Sequence, residues 1–184
     1  DPSQTDDIMT TKMIIDATRK RPGTEPNAVS SEKLKALCSS LTSTDNRILG
    51  VNLIEDTLLL VRVDTPIPGR SSPAPGDSKP QARTGMELLA KLVAIPELSS
   101  LKLIACASPD VDIQNKESYI WGVFTRFDCE RDVVFTEIRL SGISPLYKGV
   151  MGIDATWKPG YPEPLVMPDE IVKRVDEKWG KIWK

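Results

Sequence analysis

The densest run of charged side chains is the segment TRFDCERD, which extends from Thr125 to Asp132. Its eight residues include two arginines and three acids. These groups could bind an anion or supply paired carboxylates for general acid–base catalysis. Because the charges nearly cancel, we favour a network of ion pairs that fixes the corner between a helix and a strand.

A second pair of carboxylates, Asp110 and Asp112, follows the apolar run LKLIACA at residues 101–107. If that run is a strand of an open α/β sheet, both carboxylates lie at the edge where such sheets place ligands. They could bind a metal ion, although an Asp that caps the following turn is the commoner arrangement.

Two further sets of residues could bind a ligand. The segment PGDSK, at Pro75–Lys79, could present Lys79 and backbone N–H groups to a phosphate, but it matches neither a Walker loop nor a dinucleotide fingerprint. Four aromatic residues could form a binding surface, and we favour packing against a partner chain instead. They are Trp157, Tyr161, Trp179 and Trp183.

The composition excludes several other classes of chemistry. The 184 residues include no histidine, which removes imidazole-based triads and most zinc and iron sites. A net charge of -2 gives no excess of positive charge with which to bind nucleic acid or an anionic membrane. No apolar run is long enough to span a bilayer. The well-separated Cys38, Cys106 and Cys129 predict reduced, buried thiols in a cytoplasmic protein.

The hydrophobic pattern predicts the elements that position these residues. Glu55 and Asp56 separate two β-rich runs and predict a β-hairpin, and five prolines within residues 65–80 predict a loop. Asn115 is placed to cap a helix. The predicted strands are residues 48–54, 57–63, 101–107 and 132–140. The predicted apolar helix faces are Met86, Leu89, Ala90 and Val93, then Ile120, Val123, Phe124 and Phe127, and finally Ile171, Val175, Trp179 and Ile182.

The order of these elements predicts an α/β (α+β layered) domain, in which helices flank a mixed β-sheet. The last helix, which starts at Pro168, carries so much apolar surface that we expect it to protrude and to dock on a partner.

An internal repeat indicates how the chain is organised. Residues 12–35 and residues 150–173 share the pattern M-x-I-D-A-T-x-K at an offset of 138 positions, as from Met13 to Met151. We therefore expect one whole unit at 47–184, preceded at 1–46 by the tail of another unit and a linker helix. The tail should form a helix from about Ser31 to Leu41 and occupy an equivalent groove on a neighbouring domain. The chain also begins with Asp, so we expect a fragment of a longer protein.

The sequence resembles the C-terminal domain of the UbiD family of carboxy-lyases, which includes the 3-polyprenyl-4-hydroxybenzoate decarboxylases. The resemblance covers about residues 47–184. It is carried by PGDSK, SPDVDI, YIWGVFTRF, TRFDCERD, MGIDATWK and PDEIVKRVDEKW. Residues 12–35 resemble a second copy of the same family's tail. Where the family usually has consecutive acids after the strand, this chain has Ala107, Ser108 and Pro109.

The resemblance implies a mechanism that this chain only assists. Enzymes of the family use prenylated FMN, with Mn²⁺ and K⁺ around its phosphate, to decarboxylate aromatic or unsaturated acids reversibly. Their catalytic arginine and glutamates and their metal ligands lie in a preceding domain. The resemblance therefore implies no catalytic residue and no metal ligand here, and it implies that this chain alone is inactive.

The family's C-terminal domain makes the oligomer and closes one wall of the substrate pocket. By position, Lys79 is then expected to reach the cofactor phosphate, and Ser141, Ile143 and Pro145 are expected to line the pocket. The expected partners are a second copy or a sister UbiD-like domain, contacted through the C-terminal helix, and the acid substrate. The alternative is a non-catalytic structural or regulatory subunit that keeps the fold for assembly.

Overall fold

A computed structural model of the protein describes residues 29–67, 84–158 and 167–182. The helices are α1 (Ser31–Thr44), α2 (Thr84–Val93), α3 (Lys116–Phe124) and α4 (Asp169–Ile182), with a 3₁₀ turn at Pro96–Leu98. The strands are β1 (Ile48–Ile54), β2 (Leu58–Val63), β3 (Leu103–Ala107), β4 (Val133–Ser141) and β5 (Ser144–Ala155).

The five strands form one mixed sheet in the order β1-β2-β3-β5-β4. The three central strands, β2, β3 and β5, are parallel, and the two outer strands are antiparallel to their neighbours. This architecture confirms the predicted α/β class. Because the central strands are parallel, their carboxyl ends meet at one edge of the sheet, which we call the carboxyl edge.

The predicted hairpin and its turn are confirmed. Thr57 N donates to Ile54 O across the turn at 3.0 Å. The two central residues, Glu55 and Asp56, have φ angles of 49° and 50°. Positive φ at both positions is typical of a type I′ turn, which suits the twist of the flanking strands but favours Asn-Gly over Glu-Asp.

Apolar side chains cover both faces of the sheet. Helices α1 and α2 pack on one face, and α1 buries Leu34, Cys38 and Leu41 there. Helix α3 packs on the other face. The predicted helix near Ser31 is confirmed and extends to Thr44, and its apolar side chains belong to the same core as the sheet.

The predicted buried faces of α2 and α3 are only partly correct. In α2, Ala90 is exposed and Leu92 is buried. In α3, Ile120 and Phe124 are exposed and Val123 is buried. The reason in α3 is a close approach, since a Cβ atom on Gly122 would lie 2.5 Å from Val111 Cγ2. The helix therefore approaches the segment after β3 through its smallest residue, and Val123 is the one helical residue of the predicted stripe that is buried.

Two parts of the fold expose apolar side chains. Residues 136–149, which we call the arm, comprise the distal halves of β4 and β5 and the turn between them. Here the two strands pair only with each other, since β3 pairs with β5 from Met151 onward. On α4, Ile171, Val175 and Trp179 are all exposed. Of the described helices, none is long and apolar enough to cross a membrane.

Candidate functional site at the carboxyl edge

The carboxyl edge brings together polar residues from three strands and from the segment after β5. Asp154 is the last but one residue of β5 and lies beside Cys106 of β3, and its backbone N donates to Asp132 O at 2.8 Å. The strand ends converge here because the three central strands are parallel. The edge is therefore the place where the fold concentrates buried polar groups.

Asp154 is the centre of this cluster and is only 1% exposed. Its Oδ1 accepts hydrogen bonds from Thr156 Oγ1 at 2.6 Å and from Thr156 N at 3.1 Å. The carboxylate lies against the first turn of α2, where a Cβ atom on Gly85 would be 2.1 Å from Oδ1. A carboxylate at a helix N-terminus is stabilised by the helix dipole, so Asp154 anchors the start of α2.

Lys158 joins Asp154 to a second buried carboxylate, Asp132. Lys158 Nζ lies 3.6 Å from Asp154 Oδ2 and 3.5 Å from Asp132 Oδ2. The same Nζ donates to Asp154 O at 2.7 Å and to Thr156 O at 3.1 Å. Asp132 Oδ2 also accepts from Asp128 N at 2.9 Å. Two buried carboxylates thus share one ammonium group, an arrangement in which removal of either partner is costly.

Ser108 connects the ends of β2 and β3 to this cluster. Its Oγ accepts from Trp157 N at 2.6 Å, and Thr65 Oγ1 donates to it at 3.4 Å. Ser108 is one of the residues that replace the family's usual acids. Here its hydroxyl group links Thr65, after β2, to Trp157, after β5.

The charged segment Thr125–Asp132 forms the predicted ion-pair network. Arg126 is buried and donates to both carboxylate oxygens of Asp110, at 2.9 Å and 2.8 Å. Asp112 Oδ1 accepts from Gln114 N at 2.9 Å, which is the turn-capping role that we preferred. In the described ranges, no three His, Cys, Asp or Glu side chains converge as a metal site would require. The cation that Asp110 contacts is the guanidinium group of Arg126.

Two of the three thiols are buried, as the sequence predicts. Burial, helped by the nearby Asp56 carboxylate, raises the pKa of Cys38 to about 11. Burial also raises the pKa of Cys106, with a smaller contribution from Asp154. Cys129 is only partly buried. A thiol with a raised pKa is a poor nucleophile, so Cys38 and Cys106 serve as small apolar side chains.

The residues predicted to line a pocket lie far from the carboxyl edge. Ser141, Ile143 and Pro145 form the tip of the arm, where Ile143 is 99% exposed. The tip lies at the opposite end of β5 from Asp154, and a strand of 12 residues spans about 36 Å. Lys79, Tyr161, Trp183 and the side chain of Ile182 lie outside the described residues, as does the first copy of the repeat up to residue 28.

Asp154, Thr156 and Lys158 were not predicted as site residues. A signal for them was present, because all three recur in the internal repeat as Asp16, Thr18 and Lys20. Retention of these three polar types at fixed spacing indicates a local hydrogen-bonded unit. The repeat was interpreted only as a sign of domain organisation.

Comparisons with curated proteins find relatives of much greater length. A protein of Aeropyrum pernix, described only as uncharacterized, is 28% identical over 110 residues, which are 53% of this chain and 23% of that protein. A protein of Archaeoglobus fulgidus with the same description is 33% identical over 98 residues, which are 46% of this chain and 20% of that protein. The chain thus spans about a quarter or less of the length of these relatives.

Two similar solved structures are those of a vanillic acid decarboxylase and of a UbiD-class enzyme. The closed form of vanillic acid decarboxylase from Sedimentibacter hydroxybenzoicus has a TM-score of 0.48 at 21% identity, over 80% of this chain and 31% of that chain. The UbiD-class enzyme HmfF from Pelotomaculum thermopropionicum, in complex with FMN, has a TM-score of 0.48 at 18% identity, over 77% of this chain and 31% of that chain.

A family match covers just over half of the chain. Residues 57–155 match the UbiD C-terminal domain, described as the 3-octaprenyl-4-hydroxybenzoate carboxy-lyase C-terminal domain. This range begins just before β2 and ends with β5, so it includes Asp132 and Asp154 but not Lys158. The chain therefore belongs to the UbiD carboxy-lyase family, through that family's C-terminal domain.

Proposed function

We propose that this domain is the oligomerisation and pocket-closing module of a prenylated-FMN-dependent decarboxylase of aromatic or unsaturated acids. The observation that carries the proposal is the family match over residues 57–155. The polar groups at the carboxyl edge pair with one another, which supports a module that assembles the enzyme and closes its pocket rather than one that supplies catalytic groups.

Two cations of the carboxyl edge, Arg126 and Lys158, are already paired within the protein. Arg126 is bonded to Asp110, and Lys158 contacts both Asp132 and Asp154. Neither cation is therefore placed to bind the phosphate of a flavin. We propose that Lys79 makes that contact, because it lies in the segment that joins β2 to α2, and both of these elements reach the carboxyl edge.

The cofactors of the proposed reaction depend mainly on groups outside this domain. Prenylated FMN would supply the electron sink for decarboxylation, and Mn²⁺ and K⁺ would bind at its phosphate. The described residues do not fit the metal, since no three carboxylate or thiol groups converge among them. We therefore assign metal binding and acid–base catalysis to a preceding domain of the parent protein, and we assign no catalytic residue to residues 47–184.

The partners follow from the two exposed apolar regions. We propose that α4 contacts a second copy or a sister UbiD-like domain through Ile171, Val175 and Trp179, which are all exposed on the single chain. Burial of a tryptophan side chain contributes on the order of 2–3 kcal/mol. We further propose that Ser141, Ile143 and Pro145 of the arm line the acid-binding pocket.

A second candidate function is a non-catalytic assembly subunit. The observation that favours it is the pairing of Arg126 and Lys158 within the domain, which serves stability whether or not a flavin is present. The upstream reading frame separates the two candidates. A frame that continues into a flavin-binding domain supports the decarboxylase module, and a start codon close to Asp1 supports the assembly subunit.

The experiment that tests the proposed function compares this chain with a longer product that includes the upstream domain. Each is incubated with prenylated FMN, Mn²⁺, K⁺ and a panel of hydroxybenzoates and cinnamates, then desalted and scanned for flavin absorbance. We expect flavin retention and CO₂ release only from the longer product. Stoichiometric flavin retention with CO₂ release by residues 1–184 alone would contradict the proposal.

A further inference from the structure

Arg62 of β2 is a cation that no group in the described part of the chain neutralises. It is the last but one residue of β2, so it lies at the carboxyl edge, and it shares the α3 face of the sheet with Leu60. Its Nε atom is buried and has no hydrogen-bond partner. Because a guanidinium group keeps its charge inside a protein, Arg62 lacks both a hydrogen bond and a countercharge.

The other arginines of residues 29–67 and 84–158 all lie beside carboxylates. Their ion pairs, each with an N–O distance of at most 4.0 Å, are Arg47 with Asp45, Arg126 with Asp110, Arg131 with Asp128, and Arg139 with Glu137. Within these two ranges, Arg62 alone has neither an ion pair nor a side-chain hydrogen bond. The missing partner is therefore specific to this position.

Packing, and not a polar contact, holds the guanidinium group in place. Arg62 pairs with Gly50 of β1 and with Ala107 of β3, two residues with little or no side chain. A Cβ atom on Gly50 would lie 3.8 Å from Arg62 Nη2 and 3.9 Å from Ile113 Cδ1, so the guanidinium group and Ile113 both lie over this glycine. Arg62 is only partly buried, so a ligand can reach a cation that is already positioned, at a low cost in entropy.

The charge at this position favours a carboxylate over a phosphate. A carboxylate has one negative charge and two coplanar oxygens, which match one guanidinium group. A phosphate monoester has about two negative charges at pH 7. Arg126 and Lys158, at the same edge, already contact carboxylates of the protein. Arg62 therefore offers a single positive charge to a ligand.

We propose that Arg62 binds a carboxylate group at the carboxyl edge, on the α3 face of the sheet. Two sources supply this chemistry: a free carboxylic acid, or an Asp or Glu side chain of the preceding domain of the parent protein. The inference goes beyond the proposed function, because the site requires neither a flavin nor decarboxylation. An unpaired cation against apolar groups costs stability, and proteins retain such costs where binding requires them.

Side-chain NMR of the full chain tests the binding directly. The Arg62 Nε–H signal, assigned by its loss in Arg62→Lys, is followed during titration with sodium benzoate and, separately, with inorganic phosphate at constant ionic strength. We expect benzoate to shift this signal to saturation, and phosphate to shift it less at the same concentration.

Two variants define the role of the guanidinium group in this titration. In Arg62→Gln, the dissociation constant for benzoate, followed through the backbone amide of Gly50, should rise at least about tenfold. Arg139→Gln is the matched control, since it removes an exposed arginine that is already paired with Glu137. It should leave the dissociation constant unchanged. Equal affinities of wild type and Arg62→Gln would overturn the proposal.

Urea unfolding separates a binding role from a structural one. Arg62→Met removes the unpaired charge while it keeps most of the side-chain volume, so without ligand we expect its urea midpoint to exceed that of the wild type. Benzoate should raise the midpoint of the wild type but not that of Arg62→Met. A ligand-free midpoint of Arg62→Met below that of the wild type would show that Arg62 stabilises the fold by itself, and would overturn the proposal.

A longer product that includes the preceding domain distinguishes the two sources of the carboxylate. If the source is a free acid, benzoate shifts the Arg62 signal in both proteins. If the source is a side chain of the preceding domain, the signal is already shifted in the longer product, and benzoate moves it only in residues 1–184. Absence of a benzoate shift in residues 1–184, or a stronger effect of phosphate, would overturn the proposal. None of these measurements uses a flavin or CO₂ release, so failure of the proposed function leaves them unchanged.

Discussion

The contact between Gly85 and Asp154 gives a sharp test of the carboxyl edge. Alanine normally stabilises a helix by about 1 kcal/mol relative to glycine. At position 85, however, the added Cβ would lie 2.1 Å from Asp154 Oδ1 and 2.5 Å from Asp154 Cγ. The carboxylate cannot move away freely, because Thr156 binds Oδ1 and Lys158 lies beside Oδ2. We therefore expect Gly85→Ala to destabilise the protein.

The magnitude follows from the cost of overpacking. Forcing one additional carbon into a packed site costs about 1–3 kcal/mol. The weaker contact between Asp154 and the start of α2 adds to this cost. We therefore expect Gly85→Ala to lower the free energy of unfolding by about 2 kcal/mol. Urea unfolding followed by circular dichroism measures this loss as a shift of the midpoint at constant slope. For a chain of this length, the melting temperature should fall by roughly 4–8 °C.

Two variants provide the controls. Gly50→Ala changes a glycine whose added Cβ would meet its nearest neighbour at 3.8 Å, so we expect little change in stability. In the background of Asp154→Ala, which removes the obstructing carboxylate, Gly85→Ala should cost at least 1 kcal/mol less than in the wild type. If Gly85→Ala alone is neutral or stabilising, then α2 does not start against Asp154 and our account of the carboxyl edge is wrong.

Three further predictions concern the turn, the pH dependence and α4. Replacing Glu55 and Asp56 by Asn-Gly should raise the free energy of unfolding by about 1 kcal/mol, because both residues have positive φ; an unchanged urea midpoint would contradict this. The hydrogen bond from the Arg47 side chain lowers the pKa of Asp45 to about 2. Since the pKa is lower in the folded state, the stabilisation is present above about pH 4 and is lost as the pH falls through 2. In urea titrations, the free energy of unfolding of the wild type should therefore fall more between pH 4 and pH 2 than that of Asp45→Asn. Equal decreases in the two proteins would show that the ionised Asp45 carboxylate does not stabilise the fold. Truncation after residue 160 should lower the subunit number in light scattering while the melting temperature stays nearly constant, since the described apolar side chains of α4 are exposed; an unchanged subunit number would argue against an interface.

Local sequence signals predicted most of the elements of the fold. The hairpin, the buried strand β3 and the helix near Ser31 all depend on patterns within about ten residues. The Asn115 cap is another local signal, and its side chain accepts from Ser118 N at 2.9 Å. These features could be predicted because propensity, capping and apolar spacing act within one element.

Features that depend on contacts between elements were harder to predict from the sequence. The exposed Phe124 was expected to be buried, because spacing alone does not show that Gly122 lets α3 approach Val111 closely. The polar cluster was missed for a similar reason. Asp132 and Asp154 are far apart in sequence, and only the pairing of β4 with β5 brings them to one lysine. Such clusters become visible in a sequence only where a repeat preserves their spacing.

The repeat also shows why the two tails of the chain cannot be interchangeable. Helices α1 and α4 are each 14 residues long and start 138 positions apart, at Ser31 and Asp169. The positions of the buried Leu34 and Leu41 correspond to Val172 and Trp179, which could fill the same apolar groove. Cys38, however, is only 2% exposed and corresponds to Asp176.

A carboxylate at the position of Cys38 would lose its hydration and would lie near Asp56, whose charge already helps to raise the pKa of that thiol. Docking of α4 in the groove of α1 would therefore bury an unpaired charge. Contrary to the expectation of equivalent grooves, α4 should bind a surface that leaves Asp176 at its rim. The test adds synthetic peptides of residues 167–184 to the full chain. A peptide that carries Asp176→Ala should compete with α1 for the groove, whereas the unmodified peptide should not compete. Competition by both peptides, detected as faster hydrogen exchange in residues 31–44, would show that the groove accepts either tail.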